Sequence, residues 1–103
     1  MSAIERRRHP RYACSTELEI EWGSEILRAS VKNISNSGMF ISTNDPLWMR
    51  AEFSARIPLP QPLVLDCVVR RIEPGRGMGV EFKDIAPTMR KALDEYLWKL
   101  AAG

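Results

Sequence analysis

Two groups of residues in this sequence have the types and spacing to do chemistry on a bound molecule. The first is a run of guanidinium groups, Arg6, Arg7, Arg8 and Arg11, in which Arg7 and Arg11 are separated by three residues. Arginine presents a planar fork of donors that grips phosphate bidentately, and its flat face stacks on bases. It also makes the commonest specific contact with guanine, through O6 and N7. The second group is Asn33-Ile34-Ser35-Asn36-Ser37-Gly38. Asn33 and Ser35 stand two apart, which puts them on one face of an extended strand end. There an amide and a hydroxyl can hydrogen-bond the edge of a base. Gly38 either supplies a positive φ to a turn or lets a ligand, or the chain itself, come close. Taken separately, each group also has an ordinary structural explanation. Short basic runs are often solvated, and Asn, Ser and Gly build turns.

Little else in the chain suggests reactivity. His9, the single histidine, stands beside Pro10 with no recognisable arrangement of a Ser or Cys nucleophile around it. Together with Arg8 it is an accessory candidate for the same site. Cys14 and Cys67 form no cluster with metal-ligand spacing, so reduced, partly buried thiols are expected and no metal. Asp94 and Glu95 adjoin on a helical stretch and point in different directions. No catalytic residue and no cofactor are expected.

The charge is unevenly placed. Residues 1–12 hold four arginines against the single acid Glu5, a net +3, so the rest of the chain carries −1 of the total +2. An arm of that kind on a nearly neutral body points to an anionic partner met by the arm. There is no apolar run of about 18 residues, hence no membrane span. The basic start lacks the apolar stretch of a secretory signal, so the cytoplasm is expected. The 103 residues suit one domain, with a flexible arm at 1–12, a β body at 13–84 and a helix at 87–101.

The body reads as strands that would position the two groups. Leu18, Ile20 and Trp22 alternate with Glu17, Glu19 and Glu21, a period of two. Gly23-Ser24 marks a turn, and Leu27, Ala29 and Val31 alternate again, which predicts a hairpin. Further strands are expected at Met39–Ile41, Phe53–Ile57, Leu63–Ile72 and Met78–Phe82. Six short antiparallel strands at this spacing suggest a sandwich or a barrel, and closure would remove exposed edges. From Pro87, Met89, Leu93, Tyr96, Leu97 and Leu100 follow helical spacing, giving one amphipathic helix packed on the barrel or across one of its ends. Glu95 and Lys99 are spaced as a helical ion pair. Trp48 and Trp98 suit either partial burial or a contact surface.

The arginine pair R-x-x-x-R before the first strand and N-x-S-x-x-G after the second together resemble the PilZ family of cyclic di-GMP receptors. Here these are Arg7 with Arg11, and Asn33, Ser35 and Gly38. Gly79-Val80-Glu81-Phe82 is similar to the family's last strand, and the closing helix is also similar. The resemblance covers nearly the whole chain. It implies a six-stranded antiparallel β-barrel of split-barrel type with a C-terminal helix. It also implies that Arg7 and Arg11 grip phosphates and guanine faces, that Asn33 and Ser35 meet a guanine edge, and that Gly38 permits close approach. Arg6, directly before the motif, is implied to favour two stacked ligand molecules over one. The function expected from the resemblance is a bacterial cyclic di-GMP receptor whose arm folds over the ligand and so signals to an unidentified partner protein. One rival is a barrel of the same fold that works only as a protein adaptor. A small β-barrel nucleic-acid binder is the other, and the mixed charge of the body argues against it.

Overall fold

The strand that follows the arginine run pairs with the next one almost without interruption, from Tyr12 opposite Ile34 to Trp22 opposite Glu25. The computed structural model describes residues 10–103. Its strands are β1 (Tyr12–Trp22), β2 (Glu25–Ile34), β3 (Gly38–Ser42), β4 (Glu52–Ile57), β5 (Leu63–Glu73) and β6 (Gly77–Lys83), followed by helix α1 (Pro87–Ala102). They form a closed barrel in the order β1-β2-β3-β6-β5-β4, every pairing antiparallel. Closure is made by β1 on β4, where Glu19, Ile20 and Glu21 face Arg56, Ala55 and Ser54. The expected six-stranded antiparallel barrel with a closing helix is therefore the fold that forms. Strand β1 begins at Tyr12, and the helix runs one residue past Ala101.

The period-two pattern explains the closure. Leu18, Ile20, Val31, Ala55, Leu65 and Val80 are all buried inside, while the glutamates of β1 look outward or sideways. Burying such side chains is the main force holding the barrel shut. Helix α1 starts at Pro87, where a missing N–H does no harm, and buries Leu93 and Leu97 against β1 and β5. Its ion pair is Arg90 with Asp94 at 4.0 Å rather than Glu95 with Lys99. Among the described residues no helix is long and apolar enough to cross a membrane.

A polar tie also fastens the helix: the hydroxyls of Tyr96 and Thr16 lie 2.9 Å apart, half-buried. Tyr96→Phe is expected to lower stability by about 0.5–1.5 kcal/mol, the usual net worth of one such bond. Urea unfolding of the two proteins measures it, and an unchanged midpoint would contradict it. Cys67 is wholly buried and Cys14 half-buried, both as free thiols. Burial raises both thiol pKa values, that of Cys67 far above the ordinary range. Since the thiolate is the nucleophile, native protein at pH 8 is expected to react slowly with iodoacetamide, and Cys67 only after unfolding. Fast labelling of both native thiols would be the contrary result.

The tryptophans differ. Trp48 packs edge-on against Trp22, with ring centroids 4.9 Å apart, yet remains largely exposed. Trp98 stands out from the helix, 76% exposed, so partial burial does not describe it.

Candidate functional site

Bulges decide which side chains reach the outside of the barrel near Arg11. By strict alternation Asn33 continues Leu27, Ala29 and Val31 and would point inward. The register between β2 and β3 shifts between Val31 and Asn33, and the shift turns Asn33 out while Ile34 takes the buried position. A matching shift between Val69 and Arg71 in β5 turns Arg71 out, where alternation from Leu65, Cys67 and Val69 would have pointed it inward. Between these two strands, Phe40 of β3 and Gly79 of β6 complete a row in register: Asn33 opposite Phe40, Phe40 opposite Gly79, Gly79 opposite Arg71.

Phe40 of that row floors a groove of about 390 Å³ whose walls include Lys32, Asn33, Ser42, Arg71 and Arg76. At one end the Arg11 Nε–H donates to Asn33 Oδ1 at 3.0 Å. The other end is an ion cluster in which Glu73 accepts from Arg71 at 3.0 Å and lies 3.5 Å from Arg76. Partial burial of the Arg11 guanidinium, and secondarily the like charge of Arg71, lower the Arg11 pKa from its ordinary value. Arg11 nevertheless remains a cation at any physiological pH. Two guanidiniums therefore feel each other across a groove floored by the Phe40 ring. An anion carrying a flat ring would relieve their repulsion and offer the guanidiniums a face to stack on.

The segment after Asn33 holds the end of the groove in shape. Ser35 is fully buried, and its Oγ accepts from the backbone N–H groups of Ser37 and Gly38, both at 3.2 Å. The Ser35 N–H donates to the Gly38 carbonyl at 2.8 Å, closing the turn. The loop is then tied to β6 by Phe82 N–H donating to Ser37 O at 2.9 Å, and to α1 by Arg90 Nη1 donating to Asn36 O at 2.8 Å. So Asn33 and Ser35 do not share an open face, as their spacing suggested: Asn33 faces the groove and Ser35 builds the turn. Gly38 is not a positive-φ residue either; those glycines are Gly23, Gly75 and Gly77. It is required by close approach, because a Cβ there would overlap the Val80 carbonyl oxygen.

Of the expected site residues, Arg11, Asn33, Ser35 and Gly38 come together here, while Arg6, Arg7, Arg8 and His9 lie outside the described residues. Phe40, Arg71 and Arg76 are additions that the sequence did not single out.

Comparison with known families matches residues 5–98 to the PilZ domain. The chain belongs to the PilZ domain family. Both sequence motifs fall within the matched span, and so does every wall of the groove just described. Comparison with curated proteins found no match. Among solved structures, this PilZ chain is similar to the inhibitor of motility MotI/DgrA of Bacillus subtilis, at 28% identity and a TM-score of 0.72 over 88% of its length. It spans about half of that protein, 48%. It is also similar to the PilZ domain of YcgR from Escherichia coli with c-di-GMP, at 17% identity and a TM-score of 0.75, covering 94% of this chain and 92% of that one. The K. pneumoniae MrkH–c-di-GMP complex gives 18% identity and a TM-score of 0.74, covering 94% of this chain and 52% of that one. At such identities the last two likenesses speak for the fold.

Proposed function

We propose that this PilZ chain is a receptor for cyclic di-GMP, without catalytic activity, that passes the signal to a partner protein. The observation that carries the reading is the groove in which Arg11, hydrogen-bonded to Asn33, faces Arg71 across Phe40 and Gly79. A cyclic dinucleotide brings the two things this groove lacks, phosphate charge and flat bases. Family membership over residues 5–98 supports the same conclusion, as do neighbours of the same fold whose structures contain c-di-GMP.

In this reading Arg7 and Arg11 take phosphates and guanine faces, with Arg6 as a third guanidinium and Arg8 and His9 as accessory contacts. Asn33 meets a guanine edge. Ser35 acts through the turn it builds, and Gly38 through the close approach it allows. The arm ahead of β1 changes its arrangement when the ligand binds, and that change is what a partner protein reads. A freely diffusing nucleotide messenger fits a cytoplasmic protein.

Calorimetric titration of cyclic di-GMP into the wild-type protein at physiological salt tests the reading. Binding at about micromolar affinity or tighter is expected, about 8 kcal/mol of binding free energy. No heat from folded protein would overturn it and would favour a PilZ-fold adaptor working through protein contacts alone. Binding that ignores guanine and collapses steeply with salt would favour a nucleic-acid binder.

A further inference from the structure

We propose that Arg71, with Glu73 beside it, is the guanine-selecting element of the groove: the guanidinium takes O6 and N7 of a base, and the carboxylate takes the donors on its other edge. This rests on the receptor reading above and adds to it a site residue outside both sequence motifs.

The argument starts from position. Arg71 is the last member of the row that begins at Asn33, and the bulge after Val69 is what brings it to the outer face. Its neighbour in the row, Gly79, has no side chain to hold it off the sheet. An added Cβ at Gly79 would lie 3.6 Å from Arg71 Cβ, 3.8 Å from Nε and 4.0 Å from Nη2. The arginine stem and the near edge of its guanidinium therefore run along bare backbone beside the nearly buried Phe40. Lying along that backbone, the fork is engaged at Nη2 by Glu73 at 3.0 Å.

The neighbouring charges choose the ligand group. Glu73 holds Arg71 at 3.0 Å and Arg76 at 3.5 Å. A carboxylate in that place repels a phosphate. It suits a group that offers acceptors on one edge and donors on the other. Guanine is such a group, with acceptors O6 and N7 and donors at N1 and the exocyclic amine. The phosphates are left to the opposite end, at Arg11 and Asn33. The Arg71 side chain is 66% exposed, and an ion pair so exposed is weak, so the fork can turn from Glu73 to a ligand with little loss.

Titration of cyclic di-GMP into wild type, Arg71→Ala, Arg71→Lys and Glu73→Ala tests this, with thermal unfolding to verify that each variant is folded. Arg71→Ala is expected to weaken binding about tenfold or more, and Arg71→Lys to remain weakened because a point charge lacks the fork. Glu73→Ala carries the sign that decides. A base-reading pair predicts weaker binding, whereas a phosphate-binding Arg71 predicts tighter binding once its competing carboxylate is gone. Tighter binding by Glu73→Ala, full recovery by Arg71→Lys, or wild-type affinity in Arg71→Ala would each overturn the assignment and leave the receptor reading intact. If wild type itself gives no heat, both fall.

Discussion

Replacing Arg7 and Arg11 together with alanine is expected to weaken cyclic di-GMP binding about 30-fold or more while leaving the barrel folded. Each fork that grips a phosphate or a guanine edge contributes about 1–3 kcal/mol, so losing two removes about 2–6 kcal/mol. Stability should scarcely change, because Arg11 is for the most part exposed and its contact is a single solvent-exposed hydrogen bond to the half-buried Asn33. Substitutions of that kind usually fall within about 0.5 kcal/mol. The double lysine variant separates charge from geometry. It keeps both positive charges but not the planar fork, so an affinity between wild type and the alanine pair is expected. The measurement is the same calorimetric titration, repeated at two salt concentrations. Affinity unchanged in the alanine pair would remove the arm from the site. An alanine pair that loses only salt-dependent, guanine-independent binding would reduce the arm to a general anion attractor.

How much of this was legible in the sequence depends on where alternation holds. Leu18, Ile20, Ala55 and Val80 follow it strictly, and from such residues the strands, the closure and the buried face could be expected. The helix was equally plain, since Leu93 and Leu97 fall at the spacing of one face and are the residues buried. Arg71 was hidden for a physical reason. It lies in phase with Leu65, Cys67 and Val69, so alternation alone assigns it to the interior, and only a bulge turns it out. Two adjacent charges, Arg70 and Arg71, directly after a buried run were the available signal, because neither can be buried without a partner. Arg70 duly pairs with Glu81 at 2.9 Å, which leaves Arg71 to the groove. The N-x-S-x-x-G segment was legible as a motif but not as a division of labour. The spacing of Asn33 and Ser35 implies a shared face only if the strand continues, and here it ends at Ile34. Beyond that point the Ser35 hydroxyl finds backbone donors of its own turn.

That division of labour makes Gly38 the position where stability and binding should fall together. The added methyl of Gly38→Ala would meet the Val80 carbonyl oxygen, which belongs to the backbone of β6 and cannot rotate away as a side chain would. Either β3 moves off β6 or the loop shifts, and overpacking of this kind costs about 1–3 kcal/mol. In a domain of this size that is a fall of about 4–8 °C in melting temperature per kcal/mol. The loop cannot shift alone, because Ser35 is bonded to Gly38, Ser37 to Phe82 and Asn36 to Arg90. Displacing it would strain all three ties and move Asn33, which is next but one to Ser35, away from Arg11. Binding should therefore weaken by about tenfold or more even at temperatures where the variant is fully folded, as expected when one good contact is lost. Ser35→Ala provides the comparison: it removes the acceptor of two N–H groups without adding bulk, so a smaller loss of both properties is expected. A Gly38→Ala protein that melts lower but binds like wild type would show that the groove does not depend on the shape of this turn. The ligand would then be held by the arm and the outer row alone.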